Sequence, residues 1–234
     1  MPIIAFFHAI SFLTCLGIAF HLWQYRKESP LVYNFSLNFW FFGLYFLLIA
    51  APGLFIYDLV KIYWLYTFAN LVLFVTLALF IRIPLIIALD GKGKNIVPAI
   101  LVFFGFLVVF LRIFFVNPVL IVFEGNAFFY FDNFPLFLRV FIGLVSGGVA
   151  LTGSLFFFLN AFQVDYWKMR LRSILFGTGF LALFASGLFN FITQFPSKSL
   201  TMSVASIFAI SGMILVFLGM KIQVASEDKS LKEK

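Results

Sequence analysis

The stretch IYWLYTFANLVLFVTLALFIRIPLIIAL, Ile62 to Leu89, decides the class of this protein, because its whole length carries a single charge, Arg82. About 20 apolar residues in helical form, at 1.5 Å per residue, cross the roughly 30 Å of bilayer hydrocarbon. The run does not alternate as a barrel strand would, and unpaired backbone in lipid is prohibitively costly, so it reads as helix. Outward from it, comparable runs cover Ile3 to Trp23, Phe35 to Tyr57, Ile96 to Val116, Phe134 to Phe162, Ile174 to Phe195 and Leu200 to Met220. The expected fold is an all-α integral membrane bundle of seven transmembrane helices. One membrane domain over residues 1–222 is followed by a polar, disordered cytoplasmic tail at 223–234.

Composition excludes the water-soluble alternatives. Of 234 residues, 64% are hydrophobic and 11% charged, with a mean hydropathy of +1.12. Soluble domains carry about 25% charged residues, and so small a polar supply cannot cover a water-facing surface. The 38 phenylalanines need no function, since lipid-facing positions accept any apolar residue. The one cysteine, Cys15, lies inside the first run, so no intramolecular disulfide can form.

The net charge of +7 does not point to nucleic acid, because the basic residues are scattered at run ends and not gathered in a stripe. They sort by side of the membrane. Arg26, Lys27, Arg82, Lys92, Lys94, Lys168, Arg170, Arg172, Lys221, Lys229, Lys232 and Lys234 make twelve on one side; Lys61, Arg112, Arg139 and Lys198 make four on the other. Positive-inside then places the N-terminus outside and the C-terminus in the cytoplasm of the cell membrane, with lipid as the surrounding partner. Met1 to Phe7 contain no lysine or arginine, so the first run reads as a retained helix and not as a signal peptide.

Two segments echo each other. FGLYFLLIAAPGLF (Phe42–Phe55) and FGTGFLALFASGLF (Phe176–Phe189) agree at eight of fourteen positions with an offset of 134. Either the chain is duplicated or a small alphabet has repeated itself. Duplication would pair the first three helices with the last three and leave the fourth as a connector, a parallel 3+1+3 repeat. Sugar-transporting heptahelical proteins and microbial rhodopsins share that architecture. This chain lacks the proline-glutamine motif of the former and, in its last helix, the Schiff-base lysine of the latter.

The echo places Pro52-Gly53 and Ser186-Gly187 at matching depth in the outer half of the bilayer. Interrupted helices at corresponding positions point to a transporter site, and the alternative is that small residues merely let helices approach. Pro52 cannot donate its helical hydrogen bond, which frees the carbonyl near Leu48. Asn190 follows Ser186 by four positions and shares its helix face, and Asn70 is also outer-half. Pro52, Asn70, Ser186 and Asn190 are therefore the candidate ligand-binding residues. The loop NPVLIVFEGNAFFYFDN, Asn117 to Asn133, has two apolar runs around Glu124-Gly125-Asn126 and reads as a hairpin, lying across the bundle mouth or dipping into the interface. Arg112, Glu124, Asp132 and Arg139 form an expected outer ionic cluster that clips this hairpin down.

Other features read as structural. Gly143 and Gly147 make a small-residue face for helix packing, with a homodimer contact as the variant. His8 and His21 lie about 20 Å apart along one helix and about 140° around it, and no other histidine exists to complete a haem pair. No catalytic, metal-binding or other cofactor set assembles, so the protein is not expected to be an enzyme. No carboxylate lies at mid-membrane, which argues against an acid-based ion-coupled pump. The leading expectation is a transporter or facilitator of a small neutral or apolar solute, driven by that solute's gradient. The alternatives are a heptahelical ligand sensor that signals through a partner protein at the basic loops around Lys168, Arg170 and Arg172, and a structural subunit of a membrane complex.

Overall fold

A computed structural model describes residues 3–27, 29–89, 91–124, 127–191 and 198–232. It contains α1 (Ile3–Gln24), α2 (Pro30–Leu54), α3 (Leu59–Ala88), α4 (Ile96–Phe114), α5 (Leu136–Gln163), α6 (Trp167–Phe191) and α7 (Lys198–Lys232). All seven hold a stretch long and apolar enough to cross a membrane. The chain is a multi-pass membrane protein whose seven helices coincide with the seven apolar runs.

The helix ends depart from the runs where capping chemistry overrides hydropathy. The Ser29 hydroxyl accepts from the Leu31 amide at 3.2 Å and Pro30 occupies the first turn, so α2 begins before Phe35. Asp58 accepts from the amides of Val60 and Lys61 and starts α3 at Leu59. α7 spans Lys198–Lys232. Positions 192–195, the end expected for the sixth span, lie outside the described residues.

Helices adjacent in sequence pack together from α1 to α4 and from α5 to α7; α7 returns to α1, and α3 touches α5. α4 sits at the periphery against α3. Its buried residues, Pro98, Leu101, Gly105, Val108 and Arg112, follow one stripe, and Phe103, Phe106, Phe110 and Phe114 face outward. Gly105 permits this approach, since a side chain there would come within 2.8 Å of Phe74 Cβ. α6 and α7 meet as closely: a methyl on Gly179 would lie 2.9 Å from the Gly212 carbonyl. On α5, Gly147 faces Phe184 and Gly153 faces Phe180. At Gly147 and Gly153 the small-residue face of α5 thus meets α6 of the same chain.

Part of the phenylalanine excess has a packing role that the lipid-filling reading missed. Phe35, Phe39, Phe74, Phe157, Phe176 and Phe180 are fully or almost fully buried. Phe35 stacks on Phe176 at 5.3 Å, and Phe80 meets Phe180 edge-on at 5.2 Å. Polar side chains add links between helices. Asn34 and Asn38 of α2 donate to the Leu79 and Thr76 carbonyls of α3, each at 2.9 Å, and Ser36 donates to Ala19 of α1. Ser154 of α5 donates to the Gly177 carbonyl of α6 at 2.9 Å.

Between α4 and α5 the expected hairpin forms from β1 (Leu120–Glu124) and β2 (Ala127–Phe131), antiparallel, with Leu120 opposite Phe131. β2 contacts α1 and α2.

The two echo segments differ in backbone. α2 leaves helical geometry at Pro52 (ψ 127°) and Gly53 (φ 86°), a left-handed position suited to glycine, whereas α6 runs through Ser186-Gly187 without a break. The expectation of matching interruptions fails at α6, because Ser186 keeps the amide that Pro52 lacks. Neighbours differ as well: a side chain on Gly43 would meet Cys15 in mid-α1, and one on Gly177 would meet Phe158 near the end of α5.

Candidate functional site

The site begins with the α2 break. Having no N–H, Pro52 leaves the Leu48 carbonyl without its helical donor. The chain then turns tightly: Phe55 and Ile56 both donate to the Ala51 carbonyl, and Gly53 donates to Ile56 at 3.2 Å. Beside this turn, at the end of the bundle that carries the hairpin, lies a cavity of about 120 Å³. α1 contributes Ile4, Ala5 and His8 to its wall, and α2 contributes Tyr45, Ile49, Pro52 and Gly53. Tyr66 and Asn70 come from α3, Arg139 from α5, Asn190 and Phe191 from α6, and Met202 from α7, with Tyr130 and Asp132 from the hairpin side.

A second cavity of about 70 Å³ shares His8, Tyr45, Asn190 and Phe191 with the first. Its remaining wall is largely aromatic and aliphatic, including Phe42, Phe46, Phe80 and Phe180, and it is met by Ser146 and Ser186. Pro52, Asn70 and Asn190 therefore line the first cavity, and Ser186 and Asn190 line the second. The four sequence candidates are brought to one connected region.

Several polar groups here lack partners. Asn70 donates back to the Tyr66 carbonyl at 2.6 Å within its own helix. By contrast, neither ring nitrogen of His8 has a hydrogen-bond partner among the described residues, although the residue is only 6% exposed. Its ring lies against Phe46 at 5.9 Å. The Tyr45 hydroxyl, the Ser186 hydroxyl and the Asn190 amide likewise make no side-chain hydrogen bond to a described residue. A buried polar group left in this state costs free energy unless water or a ligand occupies the space.

The hairpin closes over this region through buried contacts. The Tyr66 hydroxyl donates to the Tyr130 carbonyl of β2 at 3.2 Å. Arg112 is fully buried, with its guanidinium over the rings of Tyr63 (4.5 Å) and Phe134 (4.3 Å). Its Nε lies 3.4 Å from the Thr67 hydroxyl, and the Tyr63 hydroxyl donates to its carbonyl. Arg112 Nη1 is 2.8 Å from Asp132 Oδ1, a charge contact without an aligned hydrogen bond, since the terminal nitrogens of Arg112 and both Asp132 oxygens remain unpartnered. Burial pushes the Asp132 carboxyl up to about 6, against the downward pull of Arg112.

Of the expected ionic cluster, Arg112 and Asp132 pair. Arg139 lines the first cavity together with Asp132 but makes no ion pair with it, and its Nε is buried without a hydrogen-bond partner among the described residues. The Glu124 side chain lies outside the described residues.

No family model, curated protein or solved structure matches this chain. The site must be read from its own geometry. Among the described residues no group of three or more His, Cys, Asp or Glu side chains gathers to hold a metal ion. His21 is away from the cavities, against Tyr25 and Phe217.

Sequence reasoning missed His8, Tyr45, Tyr66 and Tyr130 as wall residues. Two signals were present. Histidine inside a span, away from its ends, is by default a functional residue, and Tyr45 precedes Pro52 by seven positions, two helical turns on the same face. Tyr130 carried no signal, because only the fold brings the hairpin to the cavity.

Proposed function

We propose that this protein is a transporter or facilitator in the cell membrane that passes a small neutral or largely apolar solute down its gradient and does no covalent chemistry. One observation carries the reading: the polar side chains of His8, Tyr45, Ser186 and Asn190 converge on two cavities that share a wall within the bundle, and Nδ1 of His8 is buried there without a hydrogen-bond partner among the described residues. Soluble pockets are also mostly apolar with a few convergent polar groups. In a membrane bundle, unpartnered polar groups beside a broken helix are what a solute path requires. No acidic side chain lies within a span among the described residues, which supports gradient-driven passage over ion coupling.

Full-length protein in liposomes tests this, with urea and glycerol as uncharged probes and benzenesulfonate as a largely apolar anion that lipid alone excludes. Protein-dependent flux of at least one probe is expected, and Asn190→Leu should abolish it while leaving a folded, inserted protein. Flux unchanged by Asn190→Leu removes the site from the path. Absence of flux for every probe turns the reading toward sensing.

A further inference from the structure

The charges around the first cavity do not balance. Asp132 is taken up by Arg112 at 2.8 Å. Arg139, the second guanidinium, has no ion pair and no side-chain hydrogen bond among the described residues, and protein seals its Nε from solvent. A guanidinium keeps its proton in a protein, so it cannot relieve burial by becoming neutral, and its planar fork matches a carboxylate. Arg139 also stands in the first turn of α5, which starts at Leu136, where the helix end adds positive potential. An amine would be repelled here, and a dianion would carry more charge than one free guanidinium offsets.

The other end of the space has opposite chemistry. Past the shared wall of His8, Tyr45 and Asn190 the second cavity is lined mainly by phenylalanines and aliphatic residues, and of its four serine and threonine hydroxyls those of Thr76, Ser146 and Ser206 are already bonded to carbonyls of their own helices. These walls favour an apolar, flat body. For scale, a cavity of about 150 Å³ accepts benzene, so the two volumes together suit a single ring or a short branched chain bearing one head group.

We propose that the solute is a small, largely apolar monocarboxylate, its carboxylate on Arg139 and its apolar body directed past His8 toward Phe46 and Phe180. This names the solute of the transport reading and rests on it.

The test is binding to the full chain in phosphatidylcholine nanodiscs, corrected against empty discs, with three probes that share a ring: benzoate, benzamide and benzylamine. Benzoate should bind at least tenfold more tightly than either of the others. That preference should fall below twofold in Arg139→Gln and return in part in Arg139→Lys, with a melting transition recorded for each variant. Equal binding of benzoate and benzamide by the unaltered protein overturns the proposal, as does a preference that survives Arg139→Gln or binding of none of the three. If Arg139→Gln does not fold, the unaltered protein and Arg139→Lys still decide it through their selectivity. Failure here is distinguishable from failure of transport. Arg139-dependent benzoate binding without flux of any probe keeps the carboxylate site and removes transport, whereas flux without carboxylate preference does the reverse.

Discussion

The two halves of this bundle use the same polar residue types in opposite ways. Towards the end that carries the α1–α2 connection, Asn34, Ser36, Asn38 and Ser154 donate to carbonyls of neighbouring helices. Towards the hairpin end, His8, Tyr45, Ser186 and Asn190 line open space, and His8 Nδ1 is buried without a described partner. Lipid supplies no hydrophobic drive between helices, so polar links and close packing hold the first half together. Both halves leave some buried polar atoms unmet, Asn38 Oδ1 and Ser173 Oγ in the first and His8 Nδ1 in the second, but only in the second does such an atom face a cavity, where an occupant can meet it. An intramembrane asparagine is therefore glue or site according to whether a neighbouring backbone lies within reach.

The comparison breaks most readily at Arg112, which ties the open half to the hairpin. Arg112→Gln leaves Asp132 buried without its counter-charge, and the expected loss is about 3–5 kcal/mol at pH 7.5, read as a fall in thermal stability in detergent. An unchanged melting temperature would mean that the hairpin is held without this pair.

A somewhat smaller effect should appear in pH dependence. Because the folded carboxyl of Asp132 is raised above its ordinary value to about 6, its contribution is fully present below pH 4 and is lost as pH rises through 6. The size is on the order of 3 kcal/mol. Arg112 pairs with this carboxyl, and Tyr66 and Tyr130 line the cavity beside it. Stability should therefore decline between about pH 4 and 7 in the unaltered protein, and Asp132→Asn should flatten that slope. A slope that persists in the variant assigns the titration to another group.

The finest distinction is between the two asparagines themselves. Asn38→Leu removes a link to α3 and should cost about 0.6–1 kcal/mol with little effect on flux. Asn190→Leu should cost close to nothing in stability and remove flux. If Asn190→Leu is the more destabilising of the two, the asparagine of the open half is structural, as Asn38 is.

Much of the architecture was legible from the chain alone. Seven spans followed from apolar length, and the hairpin followed from two short apolar runs about Glu124-Gly125-Asn126. Pro52, Asn70, Ser186 and Asn190 were identifiable because polar or helix-breaking residues stand out against hydrocarbon. The α2 start at Pro30 was less visible, being set by the Ser29 cap and not by hydropathy. The matched break expected at Ser186-Gly187 did not form, since identity at eight of fourteen positions left out the one residue, proline, that forces a break.

What the sequence by itself determined is how many helices are long and apolar enough to cross a membrane and where they lie, because hydrocarbon thickness sets a minimum apolar length that any window can be measured against. What only the tertiary structure decided is which residues face inward: the pairing of Asp132 with Arg112 and not with Arg139, the phenylalanines of the core, and His8 and Tyr45 in the cavity wall. The reason is that lipid and protein interior are both apolar. A transmembrane helix therefore lacks the polar stripe by which a soluble helix marks its outer face, and the inward face becomes known only when its neighbours are in place.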